Sequence, residues 1–167
     1  MKYLYKKFKS DIPSNSFDDI NIQIFTPKIF RGLTLKGENK SLKLIGVRLL
    51  FWAITCGRAR IYYATKNEEL VHTSYVIPKC LKFPFLNKQD YEIGPCFTYP
   101  KFRGKGIYPA MLQYICSFEG DNSTVFYMIV DEGNTSSIRG IEKSGFERCG
   151  NVKVSRILKR YKIEQAL

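Results

Sequence analysis

The chain has 167 residues, 44% of them apolar and 14% aromatic, with a formal net charge of +12. That length and composition suit one folded domain, 1–167, with a substantial core, and they exclude an intrinsically disordered chain. The longest unbroken apolar stretch, residues 49–54, is far short of the about 20 residues a membrane-spanning helix needs.

Five cysteines (Cys56, Cys80, Cys96, Cys116 and Cys149) are an odd number with no C-x-x-C pair, and His72 is the single histidine. A zinc site and a disulfide framework are both disfavoured, and reduced, mostly buried thiols in a cytoplasm are the expectation. Met1-Lys-Tyr-Leu-Tyr-Lys-Lys lacks the continuous apolar segment and the small-residue cleavage site of a signal peptide. The positive charge raises nucleic acid as a partner. Its basic residues, however, are spread in small groups such as Lys6-Lys7 and Lys159-Arg160, with no long basic run threaded by aromatics. A polyanionic cofactor, an acidic substrate or an anionic membrane surface suits the charge equally well.

In chain order, residues 1–9 alternate weakly and predict a first strand. Ile20, Ile22 and Ile24 alternate with Asn21 and Gln23 as a second, short one. Pro13, Pro27 and Gly32 mark loops. Leu42, Ile45, Leu49 and Trp52 recur at helical spacing, predicting a helix over 41–55 that Gly57 ends. Residues 60–65 and 70–77 are β-rich runs joined by Lys66-Asn67-Glu68-Glu69, a hairpin. Residues 78–88 read as a loop whose Phe83, Pro84 and Phe85 could cover a pocket. Strands follow over 91–98 and 122–130. Asn134 or Thr135 caps a short helix through Lys143, and Gly145 suits its stop. Residues 146–163 predict a final hairpin with Gly150-Asn151 as its turn. There is no internal repeat.

Between the strand 91–98 and a helix-period pattern (Ile107, Met111, Tyr114, Ile115, Phe118) lies Tyr99-Pro-Lys-Phe-Arg-Gly-Lys-Gly-Ile-Tyr108. Gly104 and Gly106 can take backbone angles closed to other residues and leave no Cβ in a ligand's way. The first N–H groups of a helix lack intrahelical partners, and the macrodipole adds partial positive charge there. With Arg103 and Lys105 alongside, the turn suits a phosphate or pyrophosphate. The same residues also describe an ordinary strand-to-helix turn with incidental charges. A dinucleotide fingerprint would need a third glycine, and a nucleoside-triphosphate loop a Gly-Lys-Ser/Thr ending; neither is present.

With Pro100 upstream, Arg103-Gly-Lys-Gly106-Ile-Tyr108 resembles the central Arg/Gln-x-x-Gly-x-Gly/Ala motif of the GNAT superfamily of acyl-CoA-dependent N-acyltransferases. Asn134-Thr-Ser-Ser137 and Glu142-Lys-Ser-Gly145-Phe146 resemble that family's Asn-x-x-Ala/Ser helix and closing Lys-x-Gly-Phe. The three pieces stand in family order over residues 59–150. The resemblance implies an α/β (α+β) domain with a mixed, mostly antiparallel central sheet, flanked by helices and splayed at the cofactor site. It implies acetyl-CoA as the cofactor. Phe97 and Thr98 would bind pantetheine, Arg103, Gly104, Lys105, Gly106, Ile107 and Tyr108 the pyrophosphate, and Asn134 the pantetheine or acyl end.

Two positions depart from the family pattern. Tyr108 stands where the family prefers Gly or Ala, and Ile141 stands where many members carry the tyrosine that reprotonates the thiolate. Amine attack on a thioester needs a base for the amine's proton and an N–H donor for the carbonyl oxygen. Glu92-Ile93-Gly94-Pro95-Cys96 resembles the strand glutamate of the histone-acetyltransferase branch, which makes Glu92 the candidate base. Lying six residues before Thr98, Glu92 is expected on the same strand face; a surface carboxylate at a strand end is the plain alternative. Asp90 and His72 are the reserves, and Tyr108 or solvent the candidate acid.

The leading expectation is thus an N-acetyltransferase acting on a primary amine of a small molecule: an amino sugar, amino acid, polyamine or drug amine. A catalytically weak, acyl-CoA-binding regulatory domain and a basic nucleic-acid-binding module are the alternatives. Oligomeric state is open, with a homodimer among the options.

Overall fold

The computed structural model describes residues 1–10, 19–27, 42–155 and 159–166. The elements are β1 (Lys2–Phe8), β2 (Asn21–Phe25), α1 (Leu42–Thr55), β3 (Arg60–Lys66), β4 (Glu69–Pro78), β5 (Tyr91–Thr98), α2 (Ile107–Phe118), β6 (Val125–Asp131), α3 (Thr135–Lys143), β7 (Glu147–Val154) and β8 (Tyr161–Ala166). The strands form one eight-stranded sheet in the order β2-β3-β4-β5-β6-β1-β7-β8. Every adjacent pair is antiparallel except β5 and β6. No helix among the described residues is long and apolar enough to cross a membrane. The turns expected at Pro13 and Gly32 lie outside the described residues.

Local chemistry accounts for most of these elements. The β3–β4 hairpin turns on Asn67 and Glu68, both at positive φ (49° and 63°), the left-handed pair that matches the twist of two antiparallel strands. The helix α1 stops at Gly57, whose φ is 73°, and α3 stops before Gly145 at 85°. The strand expected from residue 122 starts at Val125, because Asp121 Oδ1 accepts from Ser123 N at 2.8 Å and holds 121–124 as a turn.

Both faces of the sheet are covered. Against one, α2 and α3 bury Tyr62, Val76, Ile93, Met111, Leu112, Ile115, Phe126 and Ile141. Against the other, Ile61, Tyr75, Ile77, Phe83 and Leu86 form a second cluster with Ile54 of α1. Phe83 and Leu86 therefore belong to the core. The segment 78–88 packs under the sheet instead of covering a pocket, and Phe83 stacks on Tyr161 of β8 at 5.3 Å.

The last hairpin differs from its expected form. Gly150 and Asn151 are inside β7, which runs on to Val154. Leu4 pairs with Gly150 but Tyr5 with Arg148, so Cys149 is the extra residue of a β-bulge. Gly150 punctuates the strand with a bulge, and the connection to β8 comes later.

The feature that shapes the site is the parallel pair. The strands β5 and β6 pair only at Tyr91↔Phe126 and Glu92↔Tyr127, and part beyond that point. Asp90 pins the paired end. It is fully buried, its Oδ1 accepting from Val125 N at 3.1 Å and its Oδ2 from Asn87 N at 2.9 Å. Those bonds commit Asp90 to structure and remove it from the candidate bases. Asp90→Ala removes the acceptor of two part-buried N–H donors and should cost about 1–3 kcal/mol in urea unfolding. An unchanged midpoint would mean that Asp90 is not the clamp.

Candidate functional site

Where β5 leaves β6, a cavity of about 490 Å³ opens on the α2/α3 side of the sheet. Its strand wall is Cys96, Phe97 and Thr98. Its floor is the turn through Arg103, Gly104 and Gly106 into Ile107, Tyr108 and Pro109. Its far wall is α3, through Asn134, Ser136, Ser137, Arg139, Gly140 and Lys143. The strand 91–98, the glycine turn and the Asn134 helix thus meet at one site. Lys105 is the exception among the turn residues: it is not part of the walls, and its ammonium lies 5.6 Å from the Phe102 ring.

The turn has the properties of an anion cradle. Gly104 and Gly106 sit at φ 75° and 74°, which L side chains rarely adopt, and a Cβ on either would meet nothing within 4 Å. Gly106 is the N-cap of α2, and the helical ladder begins with Ala110 N donating to Gly106 O. The N–H groups of Ile107 and Tyr108 are left for a ligand, while Pro109 has none to offer. Arg103 donates from Nε to Thr98 O at 3.0 Å and lies 5.6 Å over the Phe97 ring, so it is already braced against the strand.

Behind the strand wall runs a buried polar chain. Thr98 Oγ1 is 2.7 Å from His72 Nδ1, His72 Nε2 is 2.7 Å from Ser74 Oγ, and Ser74 donates to Cys96 Sγ at 3.2 Å. With the Ser74 proton spent on sulfur, Nε2 must donate to Ser74, and Nδ1 must accept from Thr98. Burial lowers the His72 pKa to about 4, so the ring is neutral near pH 7. His72 is a fully buried brace for two cavity-lining residues and does not face the cavity.

Asn134 plays a local part. Its Oδ1 accepts from Ser137 N at 3.2 Å and from Ser136 Oγ at 3.1 Å, capping α3. Only the amide nitrogen of that side chain is left to face a ligand.

The shared face expected for Glu92 and Thr98 is not found. Thr98 pairs with His72 and Cys96 with Ser74, but Ile93 pairs with Val76 and Glu92 with Ile77. Gly94 and Pro95 together lie opposite Tyr75, and this extra residue inverts the alternation. Thr98 and Cys96 consequently face α2 and α3, whereas Glu92 faces the second core cluster. Its carboxyl folds back over the bulge: a Cβ on Gly94 would come 2.8 Å from Oε1. Glu92 is 5% exposed, its Oε2 has no hydrogen-bond partner among the described residues, and burial pushes its pKa up to about 8 despite the opposing charge of Lys82.

Tyr108 and Gly140 form a pair that sequence reasoning missed. The Tyr108 ring lies 5.9 Å from the His72 ring, and a Cβ at position 140 would come 2.5 Å from its Cδ1. Tyr108 fits only because α3 carries no side chain there. Its hydroxyl pKa is raised by burial, then by Cys96 and Glu92, so it keeps its proton. Ile141 is 1% exposed and part of the core. Gly140→Ala should cost about 1–3 kcal/mol in the wild type and far less in a Tyr108→Ala background. Strictly additive unfolding energies would show that the two positions do not touch.

No protein-family model matches the sequence, and no curated protein does. Solved structures match its fold. An acetyltransferase of the GNAT family from Colwellia psychrerythraea superposes with a TM-score of 0.58 at 11% identity, over 88% of this chain and 52% of its own. A tandem GNAT protein from the clavulanic acid biosynthesis pathway gives 0.57 at 14%, over 88% and 50%. A functionally unknown conserved protein from Staphylococcus epidermidis gives 0.57 at 13%, over 88% and 57%. The chain spans about half the length of each of these structures. At such identities the likeness is one of architecture. In its mixed sheet, its parted parallel strands and its glycine turn, this chain has the GNAT acetyltransferase fold.

Proposed function

We propose that the protein is an N-acetyltransferase that uses acetyl-CoA to acetylate a primary amine of a small molecule. The observation that carries this reading is the cavity at the parting of β5 and β6, with a glycine turn and a helix N-terminus at one end. Coenzyme A fits its chemistry. The open Cβ positions of Gly104 and Gly106 leave room for a diphosphate beside the N–H groups of Ile107 and Tyr108. Past its last pair with Tyr127, β5 has no neighbouring strand on that side among the described residues, so the main chain of Phe97 and Thr98 can pair with the amides of a pantetheine arm.

Bound acetyl-CoA supplies an activated acyl carbonyl. The chain's own residues supply the proton traffic. Glu92, at the bulge and on the opposite face, is the base that takes a proton from the incoming amine. Tyr108, which holds its proton and lines the cavity floor, is the acid that would protonate the departing thiolate. Cytoplasmic location is the corresponding expectation.

The pH dependence follows from the Glu92 pKa of about 8. Near pH 7 most of the protein carries a neutral Glu92 and cannot accept the proton, so kcat should climb as pH rises through about 8. Glu92→Gln should lower kcat and flatten that limb while leaving CoA affinity nearly unchanged. A profile that overlays the wild type rules Glu92 out as the base. Stability changes in the opposite sense. The folded state holds the Glu92 proton up to about pH 8 while the unfolded chain releases it near its ordinary value, so this contribution is complete at acid pH and lost on the way up to about 8. Glu92→Gln removes that loss.

The test of the whole reading is thiol release from acetyl-CoA over a panel of amines, alongside thermal shift with CoA. Gly106→Trp, which fills the open space above the turn, should abolish the CoA-induced rise in Tm. If CoA stabilises that variant as it does the wild type, the cradle is not at the turn. CoA binding without turnover on any amine would favour an acyl-CoA-binding domain, a reading motivated by Ile141 at the position of the usual acid.

A further inference from the structure

We infer that Tyr108 sets the length of the acyl group: its ring closes the cavity between the helices and the sheet, and restricts the protein to short acyl chains, acetyl above all. This rests on the reading of the cavity as an acyl-CoA site and adds the side chain that selects among acyl-CoAs.

Among the described residues the cavity walls hold three aromatic side chains, Phe97, Phe102 and Tyr108. Two of them lie under cations of the turn and its approach. The Arg103 guanidinium is 5.6 Å from the Phe97 ring, and the Lys101 and Lys105 ammonium groups are 5.0 and 5.6 Å from that of Phe102. Tyr108 differs, because its ring reaches from α2 to both neighbouring layers. On the sheet side it lies 5.9 Å from the His72 ring, at an interplanar angle of 31°. On the other side a Cβ at position 140 would come 2.5 Å from Cδ1 and 2.7 Å from Cε1, so one ring edge rests against α3 where it has no side chain.

The phenol tip shows where along the cavity this closure falls. After burial, the groups that raise the hydroxyl pKa are Cys96 and Glu92. The tip therefore points back along β5 from the turn, toward the parting of the strands. A pantetheine arm that leaves a diphosphate at the turn and follows Thr98 and Phe97 delivers its thioester to that same end. The acyl chain then meets the Tyr108 ring. The strand wall is fixed there, since Thr98 and Cys96 are both tied into the hydrogen-bond chain through His72 and Ser74.

The space behind the ring is apolar. Tyr108 packs against the core cluster that contains Met111, Leu112 and Ile141, all buried. On α2, Met111 and Leu112 are its neighbours at i+3 and i+4. Interiors are close-packed, so an alkyl chain can extend only into volume that the ring gives up. With the ring in place each added methylene is overpacking; with the ring removed each one gains burial against apolar side chains.

The test is isothermal titration calorimetry with acetyl-CoA, butyryl-CoA and hexanoyl-CoA, which needs no acceptor amine. The wild type should bind acetyl-CoA about tenfold or more tightly than hexanoyl-CoA. Tyr108→Phe keeps the ring and should keep that ranking, whatever it does to turnover. Tyr108→Ala should bring the two ligands within about twofold or invert their order. Tyr108→Leu, which leaves more of the core covered, should fall between, and it carries the test if the alanine variant does not fold. A wild type that binds hexanoyl-CoA as tightly as acetyl-CoA overturns the inference and leaves the acyl-CoA reading standing. Leucine and alanine variants that keep the wild-type ranking overturn it too, and a phenylalanine variant that loses the ranking does so by assigning selection to the hydroxyl. If the wild type binds none of the three thioesters and no free CoA, the coenzyme A reading itself fails, and this inference falls with it.

Discussion

The whole site depends on the early divergence of one parallel pair. A strand inside a sheet normally spends its N–H and C=O groups on both neighbours. In this chain β5 does so with β4 along most of its length but with β6 only at Tyr91 and Glu92. Beyond Glu92, main-chain groups of β5 lack a strand on one side among the described residues and look into the space between the strands. Asp90 locks the paired end by accepting from Val125 N, so the opening begins at a defined point. The 3-10 turn at Pro100–Phe102 begins two residues after the strand's last ladder pair at Thr98 and leads directly into the glycine turn at Gly104 and Gly106. The cavity is therefore the consequence of where pairing stops.

The bulge at Gly94-Pro95 gives this opening two chemically different sides. One inserted residue turns Thr98 and Cys96 toward α2 and α3 while Glu92 turns toward the other core cluster. A carboxyl can then stand at the mouth of the gap without crowding the cavity that the helices enclose. Its burial holds it neutral near pH 7, which limits the electrostatic cost of leaving Oε2 without a partner. Had the strand kept its alternation, Glu92 would share a face with His72 and Thr98, amid a hydrogen-bond chain that is already complete.

These two features mark the boundary between what was legible in the sequence and what was not. Local signals were dependable. Gly104 and Gly106, the Asn134 cap, the Asn67-Glu68 turn and the stop at Gly145 each rest on backbone preferences confined to a few residues. Face assignment along β5 was not legible. A rule of alternation assumes an unbroken strand, and a bulge needs a partner strand before it can be seen. Gly150 misled for the same reason, since a glycine in a β-rich run suits a turn and a bulge equally well. The aromatic segment 78–88 read as a surface loop because Pro78 and Pro84 dominate its local signal; only the sheet above it makes Phe83 and Leu86 core.

The fit of Tyr108 against Gly140 illustrates the remaining kind of invisibility. Taken alone, a ring at the second residue of α2 is an obstruction beside the phosphate turn. Gly140 in α3 is unremarkable alone, and it costs helix stability relative to alanine. Placed together, they explain one another, because the ring occupies the volume that a side chain at 140 would need. The exchange also bears on Ile141. Turned into the core, Ile141 brings no polar group to the cavity, while the adjacent glycine admits a phenol from the neighbouring helix. A phenol from α2 thus fills the space that Gly140 leaves open on α3. Neither residue reveals this, because the compensation lies in the contact between two helices.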